Sequence, residues 1–202
     1  MDESIPRYPY DPRAADGLLN QAGISKGPDG FYRGPEGRLS PDMAITEDPD
    51  SVRQIALMEN LLRGLGLDAQ QRVIPRALAQ DAETRATFPA LHLIGVGLGE
   101  IVLQISAGSE VPSAANKWIG FNRGGWSSPE YDRLLARFNT TLERKDRIEL
   151  VRQMLRIYSE ETPAFGTFFR GQAFAFVSAL QGPTRVAPEA NIPWDIYAWE
   201  FN

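Results

Sequence analysis

The glycine run Gly95-Val96-Gly97-Leu98-Gly99 directly follows the apolar stretch Ala90-Leu91-His92-Leu93-Ile94. Glycines at the end of a strand can let backbone N–H groups cradle a phosphate. The pattern G-x-G-x-x-G breaks here, because its sixth position is Glu100, whose carboxylate repels phosphate. The chain also lacks the acidic residue about 20 positions on that ends a second strand in a dinucleotide site. The run therefore reads as a strand-to-loop turn where backbone lies close to something else. His92, alternating with Leu91 and Leu93, would be a general base in a catalytic reading. With no cysteine and no G-x-S-x-G turn it has no nucleophile to serve, so it reads as the polar face of a half-buried strand. Glu160 and Glu161 are consecutive, and helical neighbours point about 100° apart, so they do not form an acid/base pair. Arg144-Lys145-Asp146-Arg147 reads as solvated surface charge.

Lys117-Trp118-Ile119-Gly120-Phe121-Asn122-Arg123-Gly124-Gly125-Trp126 concentrates more chemistry than any other stretch. Tryptophan offers a flat apolar platform, and arginine offers a bidentate grip on a carboxylate. Loops held by rigid elements are where ligand contacts collect. Two readings fit: a ligand-contacting loop, or a structural loop anchored by its tryptophans.

Composition narrows the function classes. The chain has 202 residues, 43% hydrophobic and 23% charged, so it can bury a core without staples. Cysteine is absent, which removes disulfides, thiolate metal sites and cysteine nucleophiles. A single histidine rules out a multi-histidine metal site, and no cofactor is expected. The net charge of -5 argues against nucleic acid as a partner, since phosphate needs a basic face. No apolar run approaches the ~18 residues of a membrane span. The opening MDESIPRYPYDP has neither basic flank nor apolar core, so no signal peptide is expected here. The protein is then either cytosolic or a piece of something longer.

Elements must position these groups. Asp11-Pro12, Asp48-Pro49 and Ser128-Pro129 each place a capping side chain before a proline at the first helical position. Their spacing predicts helices over 12–22, with Ala15, Leu18, Leu19 and Ala22 inward; over 49–64, with Val52, Ile55, Met58, Leu62 and Leu65 inward; and over 129–140, with Tyr131, Leu134, Leu135 and Phe138 inward. A further helix over 143–160 turns Ile148, Val151, Met154, Leu155 and Tyr158 inward. A polar helix is expected over 81–87. Glycine and proline clusters at 26–30 and 34–37 read as a hairpin or a glycine-rich loop. Strands are expected over 39–46, 67–74, 90–94, 164–169 and 173–177. Alternating helices and strands give an α/β class, with an antiparallel piece near the end.

Five of these pieces together resemble the family 5 extracellular solute-binding proteins of ABC importers, which include peptide-, dipeptide- and nickel-binding proteins. Tyr10-Asp11-Pro12-Arg13-Ala14-Ala15-x-x-Leu18-Leu19-x-x-Ala22-Gly23 is similar to the family's YDP-x-x-A-x-x-LL-x-x-AG helix. The segment up to Gly37 resembles its glycine-rich hairpin, and 48–68 its helix ending in LGI-D. Asn122-Arg123-Gly124-Gly125-Trp126-Ser127-Ser128-Pro129-Glu130-Tyr131-Asp132-Arg133-Leu134-Leu135 resembles its N-x-GGYSNPEYDRLL stretch, the most specific match. Residues 147–163 resemble the helix that follows, and the pieces come in the family's order.

The resemblance implies the second lobe of a type II-like periplasmic binding protein, a mixed sheet flanked by helices. Family members are far longer, so residues 1–183 would be this lobe and 184–202 a tail packing toward a missing N-terminal lobe. It implies a non-enzyme that captures a small solute, peptide-like or other, between two lobes and delivers it to an ABC transporter permease. The full-length protein would work in the periplasm or outside the cell, at the membrane through its transporter. The implied ligand contacts are Gly97, Leu98, Gly99, Glu100, Trp118, Asn122, Arg123 and Trp126. Family peptide binders often carry G-W-x-x-D, whose Asp grips the ligand's amino group. Here Val96 and Gly99 stand at the Trp and Asp positions. Nickel, haem, sugars, opine-like compounds and other peptides stay open. The rival classes are a free-standing interaction domain and a small carboxylate hydrolase, which would need two carboxyl groups ~5–10 Å apart. No spacing in the chain nominates such a pair.

Overall fold

The computed structural model describes residues 4–88, 90–97, 99–169, 175–182 and 192–201. The chain opens with α1 (Pro12–Gln21) and a three-stranded antiparallel ribbon of β1 (Ser25–Lys26), β2 (Tyr32–Gly34) and β3 (Gly37–Arg38). Next come β4 (Asp42–Thr46), α2 (Pro49–Leu65), β5 (Gln70–Ile74), α3 (Ala82–Ala86) and β6 (Leu91–His92). These strands form a parallel sheet in the order β5-β4-β6. The second half is helical: α4 (Ile101–Ile105), α5 (Pro129–Thr140) and α6 (Arg144–Glu161). Near the end β7 (Leu180–Gln181) pairs antiparallel with β8 (Glu200–Phe201). Among the described residues no helix is long and apolar enough to cross a membrane.

The caps form as the sequence implies. Asp11 accepts the N–H groups of Arg13 and Ala14 at 3.0 Å each, and Asp48 those of Asp50 and Ser51 at 3.0 and 3.1 Å. Ser128 meets the Tyr131 N–H at 3.5 Å. Each proline follows its cap, where its missing donor costs nothing.

Two cores follow. Met43 and Ile45 of β4 pack on Ile55 of α2 and on Ala69, with Leu91 and Leu93 beside them. Tyr131, Leu134, Leu135 and Phe138 of α5 pack on Leu150 and Met154 of α6 and on Leu103 of α4. The α5 stripe is the one its spacing predicts. In α6 the face differs: Leu150 is buried, whereas Ile148 and Leu155 are exposed. The helix is rotated so that Leu150, Met154 and Ile157, at intervals of four and three, meet α5.

Four expectations are corrected. The stripe of α1 is not buried, since no residue of that helix is and Leu18 is 65% exposed. Residues 164–169 form no strand, and Phe165, Phe168 and Phe169 are exposed. A strand needs a ladder to pair its backbone, and no described strand lies alongside. Likewise residues 175–177 are irregular, while 170–174 lie outside the described residues. The strand expected over 90–94 shortens to Leu91–His92, and α4, absent from the sequence reading, follows it.

Met154 is fully buried at the α5–α6 contact, whereas Leu142 is 94% exposed. Met154→Ala should destabilise the chain by about 2–5 kcal/mol, and Leu142→Ala by less than about 0.5. Urea unfolding of both variants checks the contrast.

Candidate functional site

All three strands of the parallel sheet end on one side, at Thr46, Ile74 and His92. In open α/β sheets the crevice beyond these carboxyl ends is the usual ligand position. The glycine turn leaves β6 there. The Leu93 N–H donates to the Ala44 carbonyl at 2.9 Å, and residues 93–97 then run without regular structure. A side chain on Gly95 or Gly97 would meet open space, so their backbone is approachable from outside. Gly99 has φ +122°, a conformation reserved in practice for glycine. Leu98 lies outside the described residues.

Glu100 is engaged elsewhere. Its carboxylate accepts from Arg147 Nη2 at 2.8 Å, tying the start of α4 to α6. Arg147 also donates to the Phe138 carbonyl at 2.9 Å and stacks on the Phe138 ring at 3.7 Å.

The tryptophan loop is held from within. Asn122 is buried, and its amide Nδ2 donates to the carbonyls of Ser106, Ala107 and Trp126 at 3.2, 2.9 and 2.7 Å. Its own N–H donates to Glu110 O at 3.0 Å. Gly120 has φ +141°, and a Cβ there would lie 2.1 Å from the Glu110 carbonyl. Trp126 donates from Nε1 to Glu161 at 2.7 Å and packs edge-on against Tyr131 and Tyr158, with ring centroids 4.9 and 5.6 Å away. Asn122 and Trp126 thus hold the loop, and their polar hydrogens are committed inside the protein. Burial pushes the Tyr131 hydroxyl up to about 12, and it donates to Leu103 O at 2.9 Å. Lys117 and Trp118 both sit in the left-handed region, at φ +58° and +60°, an arrangement that non-glycine residues adopt at a cost. Glu160 and Glu161 accept from Arg156 and Trp126 respectively, so they do not work as a pair.

Arg123, half-buried, faces another way. Its guanidinium lies 5.9 Å from the Phe121 ring and has no carboxylate partner among the described residues. Arg85, in the last turn of α3, lies within its electrostatic reach, and both act on His92. The His92 ring contacts Phe88 at 4.9 Å, and its Nδ1 is buried without a partner. Burial, and then the charges of Arg123 and Arg85, push His92 down to about 4. The sequence reading named Arg123 but not Arg85, which carries no motif signal in a short polar helix. Among the described residues no group of three or more His, Asp or Glu is placed to hold a metal ion.

Comparison with solved structures assigns the fold. NikZ of Campylobacter jejuni, in complex with Ni(L-His), superposes with a TM-score of 0.72 at 20% identity, over 98% of this chain and 41% of that one. This chain has the periplasmic binding protein fold. An oligopeptide-binding protein of Thermus thermophilus complexed with a pentapeptide matches at 0.67 and 21% identity, over 81% of this chain and 30% of that one. AppA of Bacillus subtilis, in complex with a nonapeptide, matches at 0.66 and 15% identity, over 100% of this chain and 40% of that one. The chain therefore spans 41% or less of the length of these three relatives. The second and third are described as oligopeptide-binding proteins. No family model and no curated sequence matches the chain.

His92 is the single histidine, so its ring signals are unambiguous. Its depressed folded-state pKa means that the unfolded chain takes up a proton first as pH falls. The stability it contributes is complete above about 6.5 and is lost as pH drops toward about 4. An NMR titration should place the His92 midpoint near 4, and unfolding free energy should decline across that window.

Proposed function

We propose that this chain is the second lobe of an ABC importer's solute-binding protein, and that it captures a small solute against a companion lobe. The observation carrying this reading is the NikZ superposition, which uses nearly all of this chain and less than half of that one. Relatives with nickel, peptide or sugar in their descriptions fit a shared scaffold whose solute varies with its loops. The exposed apolar residues Leu18, Phe165, Phe168 and Phe169 fit surface that another lobe covers. Tyr197 and Phe201, exposed beside the β7–β8 ladder, fit a tail that reaches the same companion.

In this reading the ligand side comprises Gly97, Leu98 and Gly99 of the turn and Trp118 and Arg123 of the loop. Asn122, Trp126 and Glu100 hold those segments in place. Closure has a physical logic: each half-site binds weakly, and enclosing the solute completes its polar contacts in a drier setting. No bond of the solute is made or broken. The permease would receive the loaded protein, which places the full-length form in the periplasm or outside the cell.

Native mass spectrometry of the protein purified from its host should give a mass well above 22.4 kDa with a small solute retained. Calorimetry with that solute should then show binding at least about 100-fold weaker for the 202-residue chain alone, since half the contacts are missing. Equal affinity of the two would overturn the lobe reading.

A further inference from the structure

Glu160 and Glu161 close α6, and no basic residue lies in that last turn. Carbonyl oxygens without intrahelical partners gather at a helix C-terminus and disfavour negative charge there. Thr162 departs from preference as well. It takes φ +48° at the left-handed cap position, where glycine or asparagine is usual. Glu160 is balanced by Arg156 Nε at 2.9 Å, four residues earlier. Glu161 instead accepts the Trp126 indole N–H at 2.7 Å, across 35 positions of the chain. A local preference given up at a helix end points to a task elsewhere.

That task is legible in the contacts. Trp126 is half-buried, and its indole has one donor and no acceptor. Its edge-on packing against Tyr131 and Tyr158 sets the ring plane but tolerates either edge of the indole. The bond to Glu161 chooses between the two, because only one orientation aims Nε1 at the carboxylate. The Trp126 carbonyl is in turn one of the three that Asn122 Nδ2 serves. Two N–H groups are shared among three acceptors at 3.2, 2.9 and 2.7 Å, and the shortest bond goes to Trp126. Displacing Trp126 therefore redistributes the donors of Asn122, the residue next to Arg123. Trp118 lies off this path, since its N–H donates to the Ser113 carbonyl at 2.8 Å.

We propose that Glu161 is a positioning residue for Arg123, acting through the indole of Trp126 and the amide of Asn122. This names a control on the candidate solute site and rests on the lobe reading for its use. Because Glu161 is exposed, its bond to Trp126 is open to water and to change, whereas the Asn122 set is enclosed. The last turn of α6 thereby sets where the loop presents its guanidinium.

The experiment reads three NMR signals of the 202-residue chain: the indole N–H of Trp126, that of Trp118, and Arg123 Nε–H. In E161A the Trp126 N–H should exchange with solvent about tenfold faster. The Arg123 signal should shift and the Trp118 signal should stay. E161Q, whose amide oxygen still accepts, should keep all three near their parent positions. W126F keeps an edge-on ring but loses the donor, so it should shift Arg123 as E161A does, and E161A should add nothing in that background. Urea unfolding separates positioning from mere stability. E161A loses a hydrogen bond but also removes charge from a helix end, so its midpoint should stay near the parent's, while N122A should lower it clearly. The proposal is overturned by an unmoved Arg123 signal in E161A, by Trp118 shifting as much as Arg123, by E161Q matching E161A, by additive shifts in W126F, or by E161A falling as far in urea as N122A. None of these readouts needs a solute. Equal solute affinity of this chain and the host-purified protein would therefore sink the lobe reading and leave the placement of Arg123 by Glu161 standing.

Discussion

The buried side chain of Asn122 is the constraint on which the site depends. Its single amide group serves three carbonyls, two at the end of α4 and one at Trp126. Without that amide those carbonyls would be left to find water in a place with little room for it, at a cost of about 1–3 kcal/mol each. The bond set closes the loop back onto the helix from which it departs. Gly120 is needed for the same closure, because the chain passes so near the Glu110 carbonyl that no Cβ fits. The loop is therefore a rigid shelf, and Arg123 and Trp118 are presented from it.

The parallel half of the fold has a comparable node. Asp68, nearly buried, receives Arg38 at 2.9 Å and also Arg63, while Phe31 lies under both guanidiniums at 4.8 and 5.2 Å. The side-chain hydrogen bond from Arg38 leads in holding the Asp68 carboxyl below its ordinary range. This node fastens the antiparallel ribbon to the end of α2. The Gly66 carbonyl accepts the Tyr32 N–H at 2.8 Å, and a Cβ on Gly66 would lie 2.9 Å from the Gly30 carbonyl. In both halves of the molecule, charges with a structural task are paired.

The exposed residues of α1 and the exposed phenylalanines after α6 leave apolar surface uncovered. In the proposed lobe reading a companion lobe covers it.

The sequence alone determined what depends on neighbours along the chain. The three Asp/Ser-Pro caps and the α5 stripe are local matters of dihedral preference and periodicity, and they formed as read. What it left open was every question of which surface faces which. Periodicity alone assigned the α6 face too far toward Ile148 and Leu155, because several offsets of the same period fit and only packing against α5 chooses among them. An apolar segment at 164–169 has strand propensity but no ladder to join, and propensity without a partner does not make a strand. Asn122 and Arg123 are adjacent in sequence and equally polar. Only the tertiary structure sent one inward to three carbonyls and left the other half-buried outside that set, because enclosure is decided through space and not along the chain.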